Sequence, residues 1–132
     1  MELETYFEST RGTGILATAD TSGKVDAAIY GRPHHVAGET IAVLMADRLT
    51  HRNLQSNPNA IYLFIEEGGG YKGCRLVLTK VREETDAAKI QALRRRKLPE
   101  GCDVESARCL VYFRVTEVRP LVGEEVAADR NA

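Results

Sequence analysis

One stretch of the chain, residues 41–58, joins an apolar run directly to a short polar segment. The apolar run IAVLM is followed by ADRLTHRNLQS and then by Asn57 and Pro58. A continuous apolar run of this length is typical of a buried strand. The polar segment predicts a helix of one to three turns. We expect Asp47 or Thr50 at its N-cap, because a short side-chain oxygen can accept hydrogen bonds from the first turn.

The start of that helix is rich in groups that bind anions. They are two arginines, a threonine and a histidine: Arg48, Thr50, His51 and Arg52. A helix N-terminus also presents unpaired N–H groups and a positive dipole end. Arg32, after the second predicted strand, could join this site if the strands are neighbours. Its guanidinium group could then bind two phosphate oxygens at once. These residues predict a local phosphate site, and a solvated helix start is the alternative.

Length and charge limit the organisation and the partners of the chain. A chain of 132 residues is expected to form one domain, which we place at residues 1–122, followed by a flexible C-terminal tail at 123–132. The formal net charge of −1 provides no global basic field, so no nucleic-acid partner is expected. The anion site must therefore be local.

The cysteines and the N-terminus indicate a cytoplasmic protein without a metal site. Cys74, Cys102 and Cys109 are widely spaced and form no CxxC pair, which favours reduced thiols. His34 and His35 are adjacent on a predicted strand and would face opposite sides of it, so we expect no metal there. The acidic N-terminus lacks an apolar signal segment, and no apolar run approaches the roughly 20 residues that span a bilayer.

The order of the predicted elements favours a mainly β fold. We predict helices over residues 3–10 and 84–97, the latter with Thr85 or Asp86 as its cap, and six strands, over 13–19, 25–30, 40–45, 60–66, 71–84 and 108–120. Residues 34–36 are expected to resume an extended course after the break at Pro33. Residues 108–120 have apolar positions on both faces, which suits burial on both sides.

Early hairpins and the lack of a β-α-β rhythm predict an antiparallel barrel or sandwich with short helices. No strand leads into a GxGxxG motif, so a dinucleotide-binding fold is disfavoured.

Three segments, taken in order, resemble a known family. They are TGILATADTSGKVDAAIYGRP, then TIAVLMADRLTHRNLQSNPNAIYLFIE, then GYKGCRLVLTKV. Together they are similar to the pyridoxamine 5'-phosphate oxidase-like, FMN-binding split-barrel proteins, over about residues 12–118. The most specific piece, THRNLQSNPNA, looks like the phosphate-binding helix of that family. The resemblance implies a six-stranded antiparallel split barrel and a homodimer, with FMN at two sites in the subunit interface.

The resemblance also implies which residues bind the cofactor. Arg32, Thr50 and Arg52 would hold the phosphate, with His51 or Arg48 assisting and Pro33 next to Arg32. Four residues would lie along the flavin ring: Ile29, Tyr30, Met45 and Ala46. Three more would reach the cofactor of the other subunit: Tyr71, Lys72 and Arg75.

The implied function is an FMN-dependent oxidoreductase that acts on an unidentified small substrate or electron donor. Pyridoxamine phosphate oxidases end in a segment with Arg and His that bind the substrate phosphate, whereas this chain ends PLVGEEVAADRNA. Vitamin B6 oxidation is therefore not expected, and no catalytic residue is assigned. The alternatives are a non-catalytic FMN electron carrier, a deazaflavin-dependent reductase, a haem-binding barrel that uses His34, His35 or His51, and a dimeric barrel with an empty site.

Overall fold

A computed structural model describes residues 2–94 and 108–123 of the chain. In these two ranges, seven strands form one antiparallel sheet with three short helices. In chain order the elements are α1 (Leu3–Ser9), β1 (Gly12–Ala19), β2 (Val25–Tyr30), β3 (His34–Ala37), β4 (Thr40–Met45), α2 (Leu49–Ser56), β5 (Asn59–Glu66), β6 (Gly73–Glu84), α3 (Ala87–Arg94) and β7 (Cys109–Pro120). The strand order in the sheet is β2-β1-β5-β6-β7-β4-β3. The predicted mainly β, antiparallel architecture is confirmed.

The sheet has seven strands, so the prediction of six was wrong. The additional strand is β3, which begins directly after Pro33 and pairs with β4 through His34 opposite Ala42. Proline has no N–H to donate, so the chain cannot continue the ladder of β2 through this position. The four residues of β3 instead form the opposite edge of the sheet.

The sheet curls so that its two ends approach each other. Two register shifts between β6 and β7, one at Val77/Leu78 and one at Lys80/Arg82, mark irregularities of the kind that bend strands and increase their twist. β2 is the first strand in the sheet and β4 is the sixth, yet residues of both line one cleft. The sheet therefore forms an incomplete barrel, and α2 lies where the barrel is split.

The interior of the barrel is filled by alternate residues of the strands. β1, β5 and β6 alternate between buried and partly exposed positions, as strands with one face on a core do. Helix α1 adds Phe7, whose ring lies edge-on to Phe64 with 5.3 Å between the ring centroids. Tyr62, Phe64 and Phe113 are the largest side chains that are completely buried.

A second apolar cluster lies on the outer face of β4 and β7. Ile90 of α3 packs there with Ala42, Leu44, Leu110 and Tyr112. Burial on both faces explains why the sequence of β4 is a continuous apolar run, and it confirms the two-sided burial predicted for β7.

Helix α3 begins close to its predicted cap. The Oδ1 atom of Asp86 accepts hydrogen bonds from the N–H groups of Ala88 and Lys89, at 3.0 and 3.1 Å, so Asp86 caps the helix as predicted. The predicted end of this helix, after Arg94, and residues 124–132 of the tail predicted at 123–132 lie outside the described residues. None of the helices in the described ranges has the length and apolar character needed to cross a membrane.

Candidate functional site

A cleft of about 220 Å³ lies where β2, the end of β4 and the first turn of α2 meet. Its lining residues are Asp26, Ala28, Ile29, Tyr30, Gly31, Leu44, Met45, Ala46, Arg48, Leu49 and Thr50. Six of the residues predicted from the sequence are among them, namely Ile29, Tyr30, Met45, Ala46, Arg48 and Thr50. The structure therefore brings the predicted ring-lining residues and part of the predicted phosphate site together.

The buried face of α2 holds the start of this helix at the cleft. Thr50, Asn53 and Leu54 are spaced i, i+3 and i+4, and each is at most 6% exposed. The Asn53 side-chain amide donates a hydrogen bond to Thr18 Oγ1 at 3.1 Å, which joins α2 to β1. Leu54 packs into the interior of the barrel. A buried polar pair and an apolar contact thus fix the position of the helix.

The first turn of α2 is suited to an anion. Arg48 occupies the N-cap in an extended conformation and makes no side-chain cap hydrogen bond. The first turn contains no acidic residue, so no side chain there offsets the positive end of the helix dipole. The prediction of Asp47 or Thr50 as the N-cap was wrong: Thr50 lies inside the helix, and Asp47 Oδ1 lies 3.1 Å from His51 Nδ1.

The other wall of the cleft is anchored by a tyrosine from inside the barrel. The Tyr62 hydroxyl donates to the carbonyl oxygen of Gly31, at 3.0 Å, and the carbonyl oxygen of Tyr30 lies 3.4 Å away. A Cβ atom at Gly14 would overlap the Tyr62 hydroxyl oxygen, so a glycine is required on the strand between them. This contact fixes the end of β2, where the cleft lining passes from strand to loop.

Arg32 is directed to α1 rather than to the cleft. Its Nη1 atom donates to the carbonyl oxygens of Phe7 and Thr10, at 2.8 and 2.7 Å, where the end of α1 leaves carbonyls without helical partners. Its Nε atom is buried and has no hydrogen-bond partner within the described residues. Pro33, which follows it, is buried, and neither residue lines the cleft.

His51 and Arg52, at the start of α2, do not line the cleft. His51 Nε2 is 3.0 Å from Glu83 Oε2, and its Nδ1 faces Asp47, so the imidazole lies between two carboxylates outside the cleft lining. Arg52 is exposed, and its side chain makes no hydrogen bond or ion pair to the described part of the chain. Arg52 is thus one turn from Arg48 and available to solvent.

The three residues predicted to reach a second subunit also lie outside the cleft. Tyr71 is 82% exposed and has a φ of 55°, a left-handed conformation that is uncommon for a bulky residue. Lys72 is exposed beside it in the β5–β6 turn. Arg75 donates to the carbonyl oxygens of Pro120 and Gly123, at 2.8 and 2.7 Å, so it holds the end of β7.

Sequence reasoning missed some residues of the cleft. Asp26 and Ala28 line it with Tyr30, and the period of two along a strand places these three on one face. Extending the predicted set along β2 by this period would have found them. Leu49, the first residue of α2, is 47% exposed, and only the position of the helix start reveals that it lines the cleft.

A larger hollow elsewhere is a poorer candidate for an anion. It measures about 780 Å³ and lies between α1 and β7. Four of its lining residues are glutamates: Glu2, Glu4, Glu39 and Glu117. Their negative charge opposes a phosphate, so the smaller cleft is the candidate cofactor site.

Comparison with known proteins establishes the fold. No protein family model and no curated protein matches the sequence. An FMN-binding protein from Syntrophomonas wolfei matches with a TM-score of 0.74 and 12% identity, over 92% of this chain and 85% of that one. A putative pyridoxamine 5'-phosphate oxidase from Lactobacillus delbrueckii matches with a TM-score of 0.66 and 13% identity, over 89% and 91%. A haem storage protein from Vibrio cholerae matches with a TM-score of 0.52 and 24% identity, over 93% of both chains.

These likenesses define the class of fold. The chain has the split-barrel fold of pyridoxamine 5'-phosphate oxidase-like proteins, which confirms the fold that the sequence resemblance implied. At these identities the likeness shows the fold alone.

Proposed function

We propose that the cleft between β2, β4 and α2 binds FMN and that the protein is a flavin-dependent oxidoreductase acting on a small molecule. One observation carries this proposal: the start of α2, with no side-chain cap and no acidic residue in its first turn, opens onto the same cleft as β2 and the end of β4. The FMN-binding and oxidase-like proteins that share the fold support it.

The phosphate would lie at the first turn of α2. The backbone N–H groups there lack helical partners, and the Thr50 hydroxyl adds a donor. Arg48 and Arg52 are one helical turn apart and carry two guanidinium groups. A bound anion would form charge-assisted hydrogen bonds with them and interact favourably with the positive end of the helix dipole. Arg32 is engaged at α1, so in this proposal it braces the barrel instead of holding the phosphate.

The flavin ring would lie between the two walls of the cleft. Ile29 and Tyr30 provide one wall, and Met45 and Ala46 at the end of β4 provide the other. When bound, FMN supplies hydride or electron transfer through its N5 atom. The residues of this chain would orient the ring, and the apolar walls would limit the access of water to it.

A second copy of the chain would complete the site. The cleft of about 220 Å³ is below the roughly 300–1,000 Å³ of typical ligand pockets, so one chain encloses only part of a cofactor. Ile29 and Leu49 at its rim are 50% and 47% exposed, which suits an apolar contact with a partner. The exposed Tyr71 and Lys72, together with Arg75, would reach the cofactor of that partner in the proposed homodimer.

Two other functions remain to be separated from this one. A carrier would hold FMN and exchange electrons without turnover of a substrate. Haem binding is suggested by the Vibrio cholerae protein, but none of His34, His35 and His51 lines the cleft.

We propose a cytoplasmic location for the protein. The free thiols of Cys74 and Cys109 fit this reducing compartment.

The proposal is tested by titrating the cofactor-free protein with FMN and with riboflavin, which lacks the phosphate. We expect FMN to bind at least about tenfold more tightly, because a hydrogen bond to a charged group contributes about 1.5–3 kcal/mol. Equal affinities would contradict the phosphate site. Anaerobic addition of NADH or NADPH then separates the enzyme from the carrier: reduction followed by reoxidation with turnover of an acceptor supports an oxidoreductase.

A further inference from the structure

Three side chains with metal-binding atoms meet outside the cleft. His51, Glu83 and Cys109 each present one potential ligand atom, and these atoms lie within 4.8 Å of one another. They come from α2, β6 and β7, so three elements of the fold converge on one point. His51 and Glu83 are partly buried, and Cys109 is buried.

The imidazole of His51 is oriented as metal-bound histidines usually are. Its Nδ1 atom lies 3.1 Å from Asp47 Oδ1, and its Nε2 atom lies 3.0 Å from Glu83 Oε2. A carboxylate that accepts the N–H of one ring nitrogen fixes the tautomer and leaves the other nitrogen free to ligate. Asp47 can play this part for His51, with Nε2 as the ligand atom.

The carboxylate of Glu83 is also oriented by neighbours. Its Oε1 atom lies 2.8 Å from Lys80 Nζ and accepts a hydrogen bond from the Gln55 amide at 2.9 Å. Its Oε2 atom is left facing His51. The Gln55 amide nitrogen is also 3.1 Å from His51 Nε2 and from the His51 carbonyl oxygen, so an ion on Nε2 would require this exposed side chain to move.

The separation between the His51 and Glu83 ligand atoms suits a tetrahedral ion, and the thiol of Cys109 lies within 4.8 Å of both. Bond lengths of about 2.0 Å to nitrogen and oxygen imply a separation between those ligand atoms of about 3.3 Å. The 3.0 Å between His51 Nε2 and Glu83 Oε2 needs a shift of only a few tenths of an ångström. A set of one thiolate, one imidazole and one carboxylate suits Zn²⁺ and Co²⁺ better than the hard ions Mg²⁺ and Ca²⁺.

We propose that His51, Glu83 and Cys109 bind one divalent ion of the zinc class, with water as the fourth ligand and Asp47 as the acceptor for His51 Nδ1. The ion would join α2 to β6 and β7 on the side of the helix away from the cleft lining. It would therefore brace the helix whose first turn forms part of the cleft. This site does not depend on the proposed binding of FMN.

Cobalt provides a direct test, because a cobalt–thiolate bond gives a charge-transfer band in the near ultraviolet. The full-length protein is treated with a chelator under reducing conditions and titrated with Co²⁺. We expect the band to saturate at one equivalent and to be lost on addition of Zn²⁺. Cys109→Ser should abolish the band, whereas Cys74→Ser and Cys102→Ser, which remove the other two thiols, should retain it. Asp47→Asn should weaken binding about 10–100-fold, as removal of such supporting partners does.

Two results would overturn the proposal: no charge-transfer band in the unaltered protein, or a band that persists in Cys109→Ser. If Cys109→Ser does not fold, as judged by far-ultraviolet circular dichroism, His51→Gln and Glu83→Gln replace it. Both should lower the affinity for Co²⁺ at least about tenfold, the lower limit for losing a supporting group. Unchanged affinity in both variants would show that the cobalt is bound elsewhere.

Discussion

Tyr62 reaches from β5 across β1 and donates a hydrogen bond to the carbonyl oxygen of Gly31, at 3.0 Å. Gly14, on β1, leaves the space through which the hydroxyl passes. Gly31 also lines the cleft, directly after β2. A completely buried aromatic residue of the core therefore determines the position of one wall of the candidate site.

We expect Gly14→Ala to destabilise the fold. The added methyl group would overlap the Tyr62 ring and hydroxyl, and overpacking of this kind costs about 1–3 kcal/mol. Urea unfolding followed by circular dichroism measures the change.

Tyr62→Phe removes only the hydroxyl and should lower the free energy of unfolding by about 1 kcal/mol. Thr13→Ala, at an exposed position of the same strand, is the control and should change the free energy of unfolding by less than about 0.5 kcal/mol. A stability of Gly14→Ala equal to that of the control would contradict the required close approach.

Replacement of Arg32 should affect stability rather than cofactor binding. Arg32→Met removes two hydrogen bonds from a charged donor to the end of α1, so the free energy of unfolding should fall by about 2 kcal/mol or more. The folded variant should bind FMN within about twofold of the unaltered protein, because the hydrogen bonds from Arg32 to Phe7 and Thr10 lie outside the cleft. A variant with unchanged stability and greatly weakened FMN binding would instead support the phosphate role implied by the sequence resemblance.

Replacement of the groups at the first turn of α2 should have the opposite effect. Thr50→Ala combined with Arg52→Ala should weaken FMN binding about 10–100-fold, because charge-assisted hydrogen bonds contribute about 1.5–3 kcal/mol. Riboflavin binding should change much less, since in the proposed complex these two side chains contact the phosphate. Arg11→Ala is the control, because Arg11 is exposed and pairs with Glu67 away from the cleft. A double variant that binds FMN as tightly as the Arg11 control would show that the phosphate lies elsewhere.

The stability of the protein at alkaline pH should depend on Cys74. Burial raises the pKa of this thiol from 9.0 to about 11, so in the folded protein it stays neutral where the unfolded chain has already ionised. The contribution of Cys74 to stability is therefore complete below pH 9 and is lost as the pH rises towards 11. A shift of about two pKa units corresponds to a loss of up to about 3 kcal/mol. Cys74→Ala should flatten the fall in the free energy of unfolding between pH 9 and 11, and equal slopes would contradict this.

The parts of the site that could be predicted are those that local sequence determines. The run IAVLM followed by a polar segment marks the end of β4 and the start of α2. These two ends are neighbours in the chain, so they are close in space in any fold. Arg48 and Thr50 were predicted for that reason, whereas Met45 and Ala46 were implied by the family resemblance. The predicted N-cap was wrong because the Asp47 carboxylate pairs with the side chain of His51, four residues later in the chain.

The parts that could not be predicted depend on distant pairing. Arg32 binds carbonyl groups that lie 22 and 25 residues earlier in the chain, and only the packing of α1 reveals them. Cys109 reaches the region of His51 because it pairs with Met45 at the end of β4. No spacing in the sequence indicates that Glu83 joins them, so the proposed metal site could not be predicted without the fold.

The most direct test of flavin binding is the visible absorption spectrum of the freshly purified protein, with the released cofactor identified by mass spectrometry. We predict a flavin spectrum and the mass of FMN. The mass also distinguishes FMN from a deazaflavin, which has a different ring. A haem spectrum, or a colourless protein that fails to bind added FMN, would contradict the proposed function while leaving the split-barrel fold in place.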